Sequence, residues 1–537
     1  MSLYMRSRTA YLRSIVLCLT FAISLIGSGA QAQVTAFMQA VAEASSGDAA
    51  IAAFYRANGY QPIWTGTSSK DKSRRSALLK ALASADDHGL PAKAYDLQFL
   101  EANLRVVKSE RDLGKIEVAL SRLFLEYAAD VQTGVLTPGR VDPGLVMQVP
   151  LRGRTQTLAA FAKSSPDRFL KSLPPSSPEY TRLMKAKFAM EKQLGKGGWG
   201  PAVPAKKLEP GQSGAAVVAM RNRLIAMGYM RRNAGQVYDG NMQAAVQQFQ
   251  LAHGLSPDGV AGSGTLAEIN VSPEERLAAI VVSMERERWI NMPLGKRHIW
   301  VNLTDFTARI VDDGKVTFET RSVVGATKSD QRSPEFSDIM EFMVINPTWN
   351  VPRSITVKEY LPMLQKNPNA AGHLRIIDSR GQVVNRGAVD FTQYTANTFP
   401  FAMKQPPSDG NALGLVKFMF PNKYNIYLHD TPSKSLFGRE VRAFSHGCIR
   451  LADPFDFAYA LLSRQTKNPE ALFKSKLATG IENVLPLEQP VPVHLVYRTA
   501  FTSAKGNMNY RRDIYGRDAR IFAALQKAGV VLRAVQS

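Results

Sequence analysis

One short stretch of this sequence carries the residue types that nucleophilic catalysis by a thiol needs. Ser445, His446, Gly447 and Cys448 are consecutive, and a further histidine, His429, precedes Ser445 with fifteen residues between them. Such catalysis requires a thiolate, an imidazole within hydrogen-bonding distance and donors for the developing oxyanion. A strand ending at His429 and a glycine-containing turn carrying Cys448 could supply all three, with the amides of Gly447 and Cys448 pointing at the negative charge.

Two arginines flank this stretch and bear on the charge of the thiol. Arg442 and Arg450 are expected to favour its ionised form or to bind a carboxylate. A buried, inert cysteine that packs as a small apolar side chain is the alternative. A zinc site is disfavoured, because zinc needs three or four ligands and the sequence offers one cysteine and scattered histidines. We therefore predict neither a metal nor a cofactor.

The first 32 residues have the pattern of a secretory signal peptide. A basic start without acidic residues precedes an apolar run over residues 15–26, and small residues follow up to Ala30-Gln31-Ala32. The run is too short to span a bilayer comfortably. An uncleaved anchor is one alternative, and a lipoprotein attached at Cys18 is another. We expect a periplasmic location and a mature chain that has no transmembrane segment and keeps Cys448 as its single cysteine.

The composition limits the class of protein and the kinds of partner. The chain has 537 residues, of which 45% are hydrophobic and 21% are charged, so wholesale disorder, collagen and coiled coil are excluded. The net charge of +22 favours polyanionic partners such as nucleic acid, anionic lipid or an acidic wall polymer. Because an exported protein does not meet the genome, nucleic acid is excluded as the partner.

Patterning along the chain predicts several domains. A largely helical segment, a Gly/Pro/Lys-rich linker and a compact helical unit come first, and a segment of short β-rich runs and a basic tail containing one helix follow. The predicted boundaries are, in that order, residues 33–194, 195–207, 208–271, 297–500 and 501–537.

The compact unit has a pattern of its own. Val217, Met220 and Leu224 share one face of its first helix, which predicts a three-helix module with these side chains in the core. The glycine pattern L-x-x-G-x-x-G from Leu208, followed by V-Q-x-F-Q from Val246, resembles that of the peptidoglycan-binding domain found beside many wall enzymes. The resemblance implies a wall-binding module, and a purely structural spacer is the alternative.

The pattern H-x(15)-S-H-G-C-I-R, from His429 to Arg450, resembles the signature of the L,D-transpeptidase catalytic domain, the YkuD fold. The resemblance runs over residues 297–500 and includes the stretches 345–352 and 411–422. The whole arrangement is similar to the large periplasmic YcbB-type subgroup. It implies a multidomain α+β protein with a helical scaffold domain, a small three-helix peptidoglycan-binding-like domain and a β-rich catalytic domain.

The same resemblance implies a role for each residue around the thiol. Cys448 is the expected nucleophile, and His429, favoured over His446, is the expected proton donor and acceptor. Asp430 would orient the imidazole through its carbonyl or its carboxylate, and the sequence leaves this choice open. His446 and Gly447 would form the oxyanion turn. The turn and the substrate would be supported by Ser445, Arg450, Arg442 and Trp349.

A long insertion, residues 353–410, interrupts the catalytic segment. In the subgroup this region caps the substrate site, so Tyr394, with Phe399 and Phe401, is expected to form an apolar lid. A loop that packs on the surface is the alternative for each of these aromatic residues.

The resemblance implies one reaction, and two alternatives remain open. The thiolate would attack the carbonyl of the third residue of a tetrapeptide stem, release D-alanine and pass the acyl group to an amine of another stem, forming a 3→3 cross-link. Peptidoglycan stem peptides would be donor and acceptor, and carbapenems would inhibit. The alternatives are hydrolysis, as an L,D-carboxypeptidase or endopeptidase, and a non-catalytic wall-binding scaffold. A papain-like or NlpC-like fold is disfavoured, because there the histidine follows the cysteine.

Overall fold

The computed structural model of the chain describes residues 34–533, so the predicted signal segment and Cys18 lie outside the described residues. The first part is helical, and most of its longer helices begin at a capping side chain. Asp48 and Ser109, for example, accept hydrogen bonds from main-chain N–H groups of the following helical turn. The helices of this part are α1 Ala36–Ser45, α2 Ala49–Ala57, α3 Ser69–Ala83, α4 Leu97–Val106, α5 Glu110–Thr133, α6 Pro138–Val141, α7 Arg154–Lys163, α8 Pro166–Lys171 and α9 Pro178–Leu194.

A buried carboxylate organises the core of this helical domain. Glu117 of α5 is fully buried and accepts hydrogen bonds from the N–H groups of Ile63 at 2.6 Å and Thr65 at 2.8 Å and from the Tyr55 hydroxyl at 2.7 Å. These bonds fix the segment that carries Trp64, whose ring packs within the apolar core of the domain. A buried carboxylate is tolerated here because several donors satisfy it.

The compact unit follows as three helices, α10 Ala215–Ala226, α11 Gly240–Ala252 and α12 Ser263–Asn270. Val217, Met220 and Leu224 lie in its core, as the periodicity predicts. The Gln250 side chain closes the loop after α11, donating to Asp258 at 2.8 Å and accepting from Gly259 N–H at 2.9 Å. The apolar residues of the compact unit therefore have a structural role.

Helix α13, Pro273–Trp289, lies between the helical domains and the β-rich domain. A capping box between Ser272 and Glu275 begins it, and almost all of its side chains are buried. It packs against α9 and α5, and the charged residues of its second half are paired inside the protein. The sequence patterns did not predict this central helix.

The β-rich domain is built on one large sheet that returns to itself. The strands run in the order β10-β3-β11-β9-β8-β4-β12-β1-β2, and β2 also pairs with β3, which closes the sheet around an apolar core. The strands of the chain are β1 Arg297–Asn302, β2 Thr307–Asp312, β3 Lys315–Gly325, β4 Phe336–Ile345, β5 Trp349–Asn350, β6 Arg375–Ile377, β7 Ala402–Gln405, β8 Val416–Met419, β9 Leu428–His429, β10 Ala443–Ser445, β11 Ile449–Leu451, β12 Asn483–Val496, β13 Ala500–Thr502 and β14 Met508–Tyr510.

The insertion forms a small subdomain with its own apolar core. Its three-stranded sheet has the order β5-β7-β6. Between β5 and β6 the chain forms α14 Arg353–Ile355, a π-helical turn Thr356–Tyr360 and α15 Leu361–Lys366. Such π-helical turns are rare and occur frequently at functional sites.

The segment after β12, expected as a basic tail with one helix, is packed structure over its described part. β13 and β14 form a hairpin, and the last helix packs against α13. The remaining helices are α16 Pro454–Leu462, α17 Pro469–Leu477 and α18 Arg517–Lys527, and short 3-10 turns lie at Ala85–His88, Ala92–Tyr95, Ser329–Gln331, Arg386–Ala388, Phe391–Gln393 and Lys434–Gly438. Within residues 34–533, no helix combines the length and apolar character needed to cross a membrane.

Candidate active site

Two adjacent strands bring the expected nucleophile and base together. β9 and β11 are parallel neighbours in which Arg450 pairs with His429. Just before β11, Cys448 lies beside Tyr427, whose carbonyl accepts a hydrogen bond from Ile449 N–H at 3.0 Å. Because alternate residues of a strand point to the same side, Cys448 and Arg450 share one face with Tyr427 and His429. Cys448 and His429 are therefore diagonal neighbours on this face.

The turn that carries the thiol is held by serine hydroxyls. Ser445 Oγ donates to Cys448 O at 2.5 Å and accepts from Gly447 N–H at 3.1 Å. Ser333 Oγ donates to Gly447 O at 2.6 Å. Gly447 has a φ of 114°, and a Cβ at this position would approach Ile426 Cδ1 to 3.1 Å. Glycine is thus required here by both backbone conformation and space.

The donors nearest the thiol differ from the expected pair. Gly447 N–H is engaged by Ser445 and is not free for an oxyanion in this conformation. In the described part of the chain, no main-chain acceptor is bonded to Cys448 N–H. The main-chain N–H and the hydroxyl of Tyr427 both act to lower the pKa of the Cys448 thiol. Cys448 N–H and Tyr427 N–H are therefore the candidate oxyanion donors.

The thiol is protonated in this resting site. Cys448 is half-buried, and its S–H group donates to Asn425 O at 3.5 Å. Burial raises the pKa of the Cys448 thiol to about 11, although the hydrogen bonds from Tyr427 and the charge of Arg450 act in the opposite direction. The expectation that flanking arginines favour the ionised form is therefore not met in the ground state, because burial outweighs Arg450.

His429 is buried, and its hydrogen bond selects one tautomer. Nδ1 lies 2.5 Å from Asp430 O, and since a carbonyl oxygen only accepts, Nδ1 carries the proton. Nε2 is then the nitrogen that can accept a proton. Burial lowers the pKa of His429 to about 3, and the positive charges of Arg450 and Lys417 act in the same direction. The imidazole is neutral at physiological pH and can act as a base.

Asp430 orients the imidazole through its main-chain carbonyl in this structure. Its carboxylate is occupied elsewhere, accepting from Leu415 N–H at 2.9 Å and from Lys434 Nζ at 2.6 Å. Gly414 makes room for that carboxylate, because a Cβ there would lie 2.2 Å from Asp430 Oδ2. The carboxylate thus fixes the loop, and the carbonyl fixes the histidine.

His446 is held by a residue of the insertion. Its Nε2 lies 2.6 Å from Oε1 of Glu359, which belongs to the π-helical turn. An ionised carboxylate only accepts, so Nε2 of His446 carries a proton. The two histidines near the thiol are therefore held differently: Nε2 of His429 can take up a proton, and Nε2 of His446 cannot.

The structure does not bring Arg442 to the thiol. Its guanidinium donates to the carbonyls of Ser322 at 3.2 Å, Arg439 at 2.9 Å and Phe306 at 3.1 Å, and it stacks on the Phe306 ring. Arg442 therefore joins loops beneath the turn, and Arg450 is the arginine whose charge acts on Cys448.

Trp349 and Tyr394 lie in the apolar core of the insertion. Trp349 is buried where β5 begins, and Tyr394 packs edge-on against Phe399 and Phe401, with ring centroids 5.9 Å and 5.8 Å away. Tyr427 contacts both this core and the core of the large sheet. Tyr427 therefore connects the insertion to the core of the large sheet.

Three residues of the site were missed by the sequence analysis, namely Tyr427, Lys417 and Glu359. The signal for Tyr427 was available, because it stands two residues before His429 and must share its side of the strand. Lys417 is paired with His429 across β8 and β9, which only the register shows. In residues 34–533, no group of three or more His, Cys, Asp or Glu side chains is placed to hold a metal ion.

Comparison with known protein families assigns three regions of the chain. Residues 296–471 match a family described as the L,D-transpeptidase catalytic domain, YkuD. Residues 49–186 match a scaffold domain, and residues 213–269 match a family described as "Putative peptidoglycan binding domain". The first match contains Cys448 and every side chain described here around it.

Individual proteins resemble parts of the chain. A Haemophilus influenzae protein named "Putative L,D-transpeptidase" is 32% identical over 242 residues, which are 45% of this chain and 48% of that protein. The chain thus spans about half the length of this curated relative.

Two crystal structures align with part of the chain. An L,D-transpeptidase (residues 123–326) from Xylanimonas cellulosilytica shares 16% identity over 55% of this chain and 98% of its own, with a TM-score of 0.16. A fused zinc-dependent amidase/peptidase/peptidoglycan-binding domain-containing protein from Clostridium acetobutylicum shares 13% identity over 54% and 99%, with a TM-score of 0.15. At such scores neither supports a conclusion about fold or activity.

Proposed function

From a chain that carries an L,D-transpeptidase catalytic domain beside a peptidoglycan-binding domain and a scaffold domain, we infer that Cys448 is the nucleophile of a peptidoglycan L,D-transpeptidase. One observation carries this proposal: the thiol shares a sheet face with a neutral imidazole that can accept its proton. The donor substrate is a tetrapeptide stem, attacked at the carbonyl of its third residue.

The charge states of Cys448 and His429 before the reaction define its first step. Because the thiol pKa is raised and the His429 pKa is lowered, the site begins as a neutral pair rather than as a thiolate–imidazolium ion pair. Sγ forms a bond to the carbonyl carbon while its proton moves to Nε2 of His429. The imidazolium then gives this proton to the leaving amine as the C–N bond breaks, and D-alanine departs from a thioester on Cys448.

The second half-reaction uses the same groups in reverse. An amine of a second stem attacks the thioester carbonyl, Nε2 of His429 accepts the amine proton, and the thiolate leaves and is reprotonated. The product is a 3→3 cross-link. Water as acceptor would give a carboxypeptidase instead, and the arrangement of Cys448 and His429 serves both acceptors.

Two main-chain donors stabilise the tetrahedral intermediate. Cys448 N–H is free of a main-chain acceptor in the described part of the chain, and Tyr427 N–H acts to lower the pKa of the Cys448 thiol. Ser445 and Gly447 hold the turn so that the Cys448 amide faces the substrate carbonyl. His446, fixed by Glu359, supports the same turn from the side of the insertion.

The other domains place this chemistry at the wall. The module at residues 208–271 and the positive net charge both favour attachment to peptidoglycan, whose stem peptides carry carboxylates. Since the substrate lies outside the cytoplasm, the pattern of residues 1–32 is best explained as an export signal, with the periplasm as destination.

Acylation by a carbapenem tests the nucleophile. The full chain should gain a single adduct on Cys448, located by peptide mass spectrometry, whereas Cys448→Ala should gain none. Cys448→Ser should be acylated at a rate reduced by orders of magnitude, because a hydroxyl is not appreciably ionised at neutral pH. An adduct on the Cys448→Ala variant would overturn the proposal.

Incubation with a disaccharide-tetrapeptide separates the acceptors. Cross-linked dimers with release of D-alanine support the transpeptidase. Truncated monomers alone would assign the hydrolase, and unchanged substrate with folded protein would assign a non-catalytic scaffold. Circular dichroism of each variant establishes that it is folded.

A further inference from the structure

Two cations lie on either side of His429 in one cross-strand row. Lys417 of β8 pairs with His429 of β9, and His429 pairs with Arg450 of β11. Residues paired in this way project from the same side of a sheet. Both cations act electrostatically on His429, and Arg450 acts on Cys448 as well. The expected base therefore lies between two positive charges on the catalytic face.

In the described part of the chain Arg450 has no carboxylate partner, and Lys417 is influenced only by Glu482, which lies beyond ion-pairing distance. Among residues 34–533, no carboxylate lies within ion-pairing distance of Lys417 or Arg450, and neither side chain donates a hydrogen bond. Arg450 Nε is buried with no partner at all. Burial lowers the pKa of each group and outweighs the opposing charge of Glu482 on Lys417 and of the Cys448 thiolate on Arg450.

Such an arrangement is costly for folding alone. A buried cation is normally paired or hydrogen-bonded, and one left unpaired reduces stability. The donors of two adjacent unpaired cations therefore suit an anion that arrives from outside. A carboxylate fits both, because it accepts a two-pronged hydrogen bond from a guanidinium and a further bond from an ammonium group.

The chemistry of the leaving group gives the position of that carboxylate. In the proposed reaction, His429 Nε2 must come within hydrogen-bonding distance of the nitrogen of the terminal residue that leaves. In an amino acid the carboxylate is attached to the carbon next to this nitrogen. Any pose that brings the nitrogen to His429 therefore places the carboxylate beside His429, where Lys417 and Arg450 lie.

We propose that Lys417 and Arg450 form a binding site for the terminal carboxylate of the donor stem, one cation on each side of His429. This inference rests on the proposed function. The site selects a donor that ends in a free carboxylate and holds the scissile bond against the imidazole. It is emptied when the terminal amino acid departs, which leaves room for the acceptor amine.

The test compares two donors that differ only at the carboxylate. One is the disaccharide-tetrapeptide, and the other is the same compound with a C-terminal carboxamide. The full chain and its Lys417→Met variant are assayed for release of D-alanine or D-alaninamide. We expect Lys417→Met to raise KM for the acid about tenfold and to change kcat/KM for the amide less than threefold, because only the acid uses the charge.

The matched control is Lys423→Met, which removes an exposed lysine from the nearby loop. It should leave both donors unchanged, and Lys417→Arg should restore most of the affinity for the acid. Equal losses for acid and amide would overturn the inference, as would no loss for either. If the unmodified protein turned over neither donor, this result would contradict the proposed function itself.

Discussion

Two arginines in different regions of this protein, Arg286 and Arg450, have opposite surroundings. Arg286 of α13 is enclosed by the carboxylates of Glu335 and Asp518, the latter at 2.8 Å. Burial alone would lower its pKa, but these two carboxylates raise the pKa above the ordinary value. Arg450 in the active site has no carboxylate partner within the described residues, and burial lowers its pKa.

This contrast distinguishes charges that hold the fold together from charges that serve its function. The charges along α13 are neutralised within the fold, and they join the β-rich domain to the helical domains and to α18. The two cations beside His429 form no ion pair within the described residues, which is the pattern expected where a ligand supplies the counter-charge. Arginine thus connects structural elements in one region and serves as a binding group in the other.

The largest expected difference is in the rate of acylation, between variants of the two histidines near the thiol. His429→Ala should slow carbapenem acylation by about 10²- to 10⁴-fold, the loss typical of a removed general base. His446→Ala should act more weakly, by disturbing the turn, and Glu359→Gln should reproduce a part of that loss. Stopped-flow acylation kinetics measure all three. If His446→Ala were the slower variant, the assignment of the base would be reversed.

Replacing each arginine tests this contrast, because the two substitutions should change the free energy of unfolding differently. Arg286→Met should lower the free energy of unfolding by about 3–5 kcal/mol, because it leaves buried carboxylates uncompensated. Arg450→Met should leave stability unchanged or slightly increased, since it removes an unpaired charge, while reducing activity. Urea unfolding followed by circular dichroism compares them. Similar destabilisation of both variants would show that Arg450 is a structural residue.

The pH dependence of thiol alkylation gives the smallest effect. Iodoacetamide reacts with the thiolate, so its rate should keep rising with pH beyond pH 9, towards the raised thiol pKa of about 11. Arg450→Met should move the midpoint to higher pH, because the arginine charge favours the thiolate. Arg442→Met should not move it, since Arg442 is bonded to other loops. A plateau below pH 9 would contradict the raised pKa.

Much of the fold was predictable from local patterns. The multidomain α+β class with its three domains, which the family resemblance implied, is confirmed. Helical periodicity, glycine punctuation and β-rich runs are local signals, and they marked the helical and β-rich segments. Helix α13 and the packed hairpin β13–β14 were missed. The polar residues of α13 suggest a solvent-exposed face, and they are buried only because partners distant in sequence, such as Glu335, neutralise them.

The candidate site, like the fold, was predictable from the sequence only in part. Cys448 and His429 stand in a long motif, so their pairing was expected. The contacts of Glu359 with His446 and of Lys417 with His429 depend on how the insertion folds back and on which strands become neighbours. Likewise, the use of Gly447 N–H by Ser445 depends on one hydroxyl rotamer. Such details arise from tertiary packing, which no local pattern records.

The hairpin β13–β14 and helix α18 have a consequence for how the protein is made. Ala500 and Tyr510 of the hairpin share an apolar cluster with Tyr180 and Leu183 of α9, and Ile521 of α18 packs with α13. A ribosome delivers α9 and α13 hundreds of residues before these partners. The joint between the helical domains and the catalytic domain is therefore complete only when β13, β14 and α18 have packed on it, and truncation before residue 500 should expose the apolar side chains of α9 and α13.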